Sequence, residues 1–83
     1  MYRLIVSPRA SKQLKKIKQG HQMAMNLAIL DIKENPEIGK SLIREYIGKF
    51  SYRVGVYRII SKVNEKDKIV NIISAGHRAI VYS

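Results

Sequence analysis

The chain has no cysteine, so disulfides and thiolate metal sites are both excluded. It has no apolar run long enough to span a bilayer, and its opening MYRLIVSPRA lacks the extended apolar stretch of a secretion signal. A cytoplasmic location without membrane association is therefore expected. Acidic residues are scarce: six Asp and Glu stand against sixteen Lys and Arg, a formal charge of +10 over 83 residues. The acids are Asp31, Glu34, Glu37, Glu45, Glu65 and Asp67, so both ends of the chain are purely basic. Such a field draws in polyanions, and nucleic acid or the ribosome is the expected partner. The apolar fraction of 46% supports a core, although a chain this short forms a thin one and is expected to be one domain, 1–83.

Tyr2 to Val6 is short, apolar and β-favouring, and predicts a first strand. Ser7-Pro8 then starts a helix, with Ser7 as cap and Pro8 in the first turn, where its missing N–H costs nothing. Ala10, Leu14 and Ile17 repeat at helical spacing. Gly20 is expected to end this helix. A second helix follows from about His21 to Glu34, with one apolar stripe at Met23, Leu27 and Leu30 and another at Met25, Ile29 and Ile32. Apolar on most sides, it is expected to be buried between the first helix and a sheet. Asn35-Pro36 ends it.

The remainder reads as strands. A short irregular edge is expected in SLIREYIG, followed by FSYRV, VYRIISKV and KIVNIISA. Gly55 suits the first tight turn and Asn64 to Asp67 form a polar second one. The order β-α-α-β-β-β predicts an α+β fold, with two N-terminal helices on one face of a small antiparallel-rich sheet. Alternation along the hairpin puts Tyr57, Ile59 and Val63 under the helices. Arg58 and Lys62 then point away, and Arg53 can join them.

The opening YRLIVSPRASKQLKKI, the Glu34-Asn35-Pro36 stop, the strand pair around YRVGVYRII and the terminal SAGHRAIVY together resemble the RelE/ParE toxin superfamily, the toxin halves of prokaryotic toxin–antitoxin pairs. The arginine of YRII and the G-H-R-x-x-x-Y ending look more like its RNA-cleaving branch than its gyrase-directed branch. The resemblance implies an endoribonuclease that enters the ribosomal A site, against 16S rRNA, and cuts mRNA there. It implies no metal and no cofactor: the ribose 2′-OH attacks its own 3′-phosphate, giving a 2′,3′-cyclic phosphate and a 5′-OH. An acidic antitoxin is the implied protein partner.

On this resemblance, Arg58 and Arg78 clamp phosphate and stabilise the transition state, as bidentate guanidinium groups can. Arg53 matches a basic position in the preceding strand. Tyr82 matches a tyrosine that serves some members as a base or a stacking platform. His77 is a candidate general acid, having an ordinary pKa near neutrality, with a plain phosphate or ribosome contact as the alternative. Lys12, Lys15, Lys16, Lys49 and Lys62 are candidate RNA contacts. Val56 stands where many members carry an acid. The competing functions are a gyrase-directed toxin on the same fold and an inactive basic RNA- or ribosome-binding domain.

Overall fold

The computed structural model describes residues 2–36, 40–41 and 49–77. Along the chain these form β1 (Arg3–Val6), α1 (Pro8–Lys15), α2 (Gln19–Glu34), β2 (Lys40–Ser41), β3 (Lys49–Val54), β4 (Tyr57–Asn64) and β5 (Ile69–His77). The strands make one five-stranded sheet in the order β1-β5-β4-β3-β2. β1 lies parallel to β5, and the other neighbours are antiparallel. This is the predicted α+β order with β2 as an edge. Only Ser41 of the expected SLIREYIG edge falls in β2; residues 42–48 lie outside the described residues.

Local chemistry explains the first elements. Ser7 caps α1: its Oγ accepts the Ala10 N–H at 3.1 Å and donates to the Ile73 carbonyl at 2.8 Å. Pro8 takes the first helical position. One hydroxyl thus starts α1 and ties it to β5. Ser7→Ala is expected to cost about 2 kcal/mol, roughly half from the cap and half from the second bond. The check is a lower urea midpoint with an unchanged slope.

Gly20 does not end α1. The helix closes at Lys15, where the Lys16 N–H donates to the Gln13 carbonyl and the Ile17 N–H to the Leu14 carbonyl, and Gly20 lies in the first turn of α2. A Cβ placed there would meet nothing within 4 Å, so its conformation reflects no crowding.

Ala10 and Ile17 meet Met25, Ala28, Ile29 and Ile32 of α2 and Ile59, Val70, Ile72 and Ala75 of the sheet. Tyr52, Val54 and Tyr57 pack around this cluster. The predicted inward row therefore holds at Tyr57 and Ile59, while Val63 is half-buried and outside the cluster. α2 departs from expectation. Its Met25 stripe is buried, but Met23, Leu27 and Leu30 are 73%, 56% and 53% exposed. Two layers supply α2 with neighbours on one side only, so the second apolar stripe faces outward.

The hairpins follow their turn residues. β3 and β4 are joined by Gly55-Val56, and Gly55 has φ +59°, as a two-residue loop with glycine at its first central position requires. The β4–β5 loop is closed by Asn64, whose side chain accepts the Asp67 N–H and donates to the Asp67 carboxylate. The β4–β5 register shifts between Ile60 and Ser61: Ile60 pairs with Ser74, yet Ser61 pairs with Ile72. Ile73 is the extra residue of a bulge, and its carbonyl is the one that receives Ser7 Oγ.

Candidate active site on the sheet

Directly paired residues on adjacent strands share a face, and alternate residues along a strand share it too. Arg53 pairs with Arg58, and Lys49 with Lys62. The intervening rungs, Tyr52–Ile59 and Val54–Tyr57, carry the residues that pack on the core beneath the helices. Lys49, Arg53, Arg58 and Lys62 therefore lie together on the face away from the helices. The sequence predicts this placement for Arg53, Arg58 and Lys62. From Lys49 to Arg53 the row runs about 13 Å at roughly 3.4 Å per residue.

Ser51 and Ile60, buried to 5% exposure, fill the rung between the two cationic pairs. Gly76 pairs with Arg58, so the position directly across the ladder from Arg58 on β5 carries no side chain. Arg58 is half-buried and Arg53 exposed. Like charges directly opposed on a sheet are destabilising, and among the described residues no carboxylate is placed on this row. The described acids sit on α2 (Asp31, Glu34) and in the β4–β5 loop (Glu65, Asp67). Such a surface gains most from an anion with several oxygens, and its arginines can hold phosphate through two parallel hydrogen bonds each. Among the described residues, no three His, Asp or Glu side chains gather as a metal site.

His77 stands elsewhere. It pairs with Tyr57 in the ladder and meets that ring edge-on, centroids 6.4 Å apart at 80°. Both lie on the helix side, so His77, the candidate general acid, stands on the face opposite Arg53 and Arg58. The Ile73 bulge is the reason: counted from buried Ile72 without it, residue 77 would fall on the arginine face. His21, at the start of α2, is exposed and its ring lies 5.3 Å from that of Tyr57 at 55°. Tyr57 as the ring joining both histidines is missed by sequence reasoning, which sees only its inward position. Lys12, Lys15 and Lys16 are exposed on α1, which packs against β5 within the helical layer. They form a surface separate from the arginine row. Arg78 and Tyr82 lie outside the described residues.

The fold is that of a small α+β protein with cations rowed on the sheet face away from its helices, and comparison with known proteins specifies it further. Residues 4–82 match the family model described as ParE toxin of type II toxin–antitoxin system, parDE. The chain belongs to this family of type II toxin–antitoxin toxins, within the RelE/ParE superfamily. Toxin RelG of Mycobacterium tuberculosis is 36% identical over 59 residues, 70% of this chain and 68% of RelG. In the toxin–antitoxin complex RelBE2 of the same organism, one chain superposes with a TM-score of 0.84 at 29% identity, covering 93% of this chain and 98% of that one. The archaeal RelE–RelB complex of Pyrococcus horikoshii gives 0.76 at 25% identity, covering 95% and 97%.

Proposed function

We propose that this toxin is a ribosome-dependent endoribonuclease that cuts mRNA in the A site by metal-free attack of the ribose 2′-oxygen. The observation that carries the reading is the Arg53–Arg58 rung, two arginines paired on the face away from the helices. The chemistry makes the 2′-oxygen bond to the adjacent phosphorus and breaks the bond from phosphorus to the 5′-oxygen. The 2′-proton goes to a base, and the leaving 5′-oxygen gains one. Between these states the phosphorane carries extra negative charge, and fixed guanidinium groups stabilise that charge more than the ground state. Arg58 supplies this stabilisation, with Arg53 beside it. Arg78 is assigned the second clamping role and Tyr82 that of base or stacking platform, both on family resemblance. His77, on the opposite face, is not assigned as the general acid.

Primer extension on translated message with purified protein tests the reading. Codon-spaced cuts bearing 5′-OH ends and 2′,3′-cyclic phosphates are expected, whereas 5′-phosphate ends would overturn attack by the 2′-oxygen. Intact message with induced DNA damage would overturn it in favour of the gyrase-directed alternative that the family resemblance carries.

The same reading includes a protein partner. The similar M. tuberculosis and P. horikoshii proteins were solved in toxin–antitoxin complexes. Here Met23, Leu27 and Leu30 form an exposed apolar stripe on α2, and a cavity of about 280 Å³ between the helices is lined by Leu14, Lys15, Gln22 and Asn26. The net charge of +10 disfavours a second copy on this surface. An acidic amphipathic segment of an antitoxin fits both the apolar stripe and the α1 lysines.

A further inference from the structure

A cavity of about 400 Å³ opens where the end of α1 and the turn into α2 meet the end of β5. Lys16, Lys18, Gln13, Tyr57, Gly76 and His77 line it. It lies on the helix side, apart from the arginine row, and the cleavage reading gives it no role.

Its chemistry is one-sided. Among the described residues no carboxylate lines it, and its two lysines are both exposed. Gln13 is held in place, because its Oε1 accepts the Ala75 N–H at 3.0 Å; its Nε2 group remains as a further donor. The wall therefore offers cations and donors but no charged acceptor, which selects an anion. It is also aromatic. Tyr57 stands between the two histidines of the whole chain, tilted against both. A simple phosphate has no use for such rings, whereas a base does, since every base has a π-face to set against them. The volume falls in the range of small-ligand pockets, typically about 300–1,000 Å³.

We propose that this cavity binds one nucleotide of single-stranded RNA, with its base against Tyr57 and His77 and its phosphate on Lys16 and Lys18. The proposal rests on the RNA-directed reading above. Gly76 links the two surfaces: it lines the cavity and is the ladder partner of Arg58. RNA crossing this end of the sheet can thus set one nucleotide here while a neighbouring phosphate meets Arg58. An acidic protein segment is the competing polyanion, but the aromatic wall favours a base.

The two histidines make the test direct. Histidine-labelled protein gives two imidazole signals to follow in a titration with short single-stranded 2′-O-methyl RNA, which lacks the attacking hydroxyl. Both signals are expected to move in one saturable step. Joint Lys16→Ala and Lys18→Ala substitution should weaken binding about tenfold at low salt and lower the salt slope by about 0.7, the loss of one phosphate contact on a single strand. Tyr57→Leu should also cost about tenfold, the loss of one stacked base. Because Tyr57 also packs on the core, the exposed lysine pair is the deciding variant. Imidazole signals that stay fixed while RNA binds, or unchanged binding by the lysine variant, overturn the proposal. Equal shifts with inorganic phosphate or a polyglutamate peptide overturn recognition of a base. Arg58→Ala separates this site from the cleavage reading: that variant should stop cutting and keep both shifts. A wild-type protein that shows the shifts but never cuts would remove the nuclease reading and leave the cavity standing.

Discussion

Replacing Arg58 with alanine is expected to abolish growth arrest while leaving the fold intact. Cleavage on purified ribosomes should fall by about 10²–10³-fold, the usual loss when one pre-organised transition-state donor is removed. The fold should tolerate the change because Arg58 faces another cation, Arg53, directly across the ladder. Relieving a like-charge pair offsets part of the packing lost with the half-buried side-chain stem, so the urea midpoint should move little. Arg58→Lys should recover only part of the rate, since lysine keeps the charge and loses the planar two-point fork. Lys62→Ala, one row element further along, should lower RNA affinity and its salt dependence without a comparable loss in maximal rate. Full cleavage by Arg58→Ala would show that the arginine row is not the reacting surface.

The arginine row was legible because it depends on local signals. Ser7-Pro8 starts a helix wherever it stands before an apolar stripe, and Gly55 and Asn64 mark tight turns in their own sequence. Between those turns, strict alternation decides that Arg53 and Arg58 share a face once Ile59 is taken as inward. The β5 face was not legible in the same way. One extra residue at Ile73 reverses the alternation beyond it, and nothing in IVNIISAGH announces a bulge; what stabilises it is Ser7 Oγ, distant in sequence. His77 changed faces for that reason. The outward stripe of α2 failed differently. Periodicity reveals two apolar stripes, but it cannot say which one has a neighbour within the same chain. The roles of Arg78 and Tyr82 came from family resemblance, and no spacing argument leads to them.

That unclaimed stripe carries the second large expectation. Leu27→Asp should weaken antitoxin binding by at least about 100-fold, corresponding to roughly 2.7 kcal/mol. Leu27 lies between Met23 and Leu30 along the exposed stripe, and is itself 56% exposed. In the free protein the substitution removes little burial, so thermal stability should drop by no more than about 1 kcal/mol, mostly from helix propensity. In the complex the new carboxylate must lose water against an apolar partner face, which is costly without a paired cation. It also meets the negative charge of an acidic antitoxin, adding repulsion where the wild-type surface attracts. Calorimetry with the purified antitoxin reads the affinity, and a thermal melt of the free variant shows that the fold survives. Lys15→Glu, beside the inter-helical cavity, separates the two contributions: it should slow association and flatten the salt dependence while leaving the apolar contact in place. If Leu27→Asp binds the antitoxin as tightly as the wild type, the partner does not use α2. The +10 surface would then have to be neutralised from the sheet side, over the arginine row itself, and antitoxin binding would compete directly with RNA for Arg53 and Arg58.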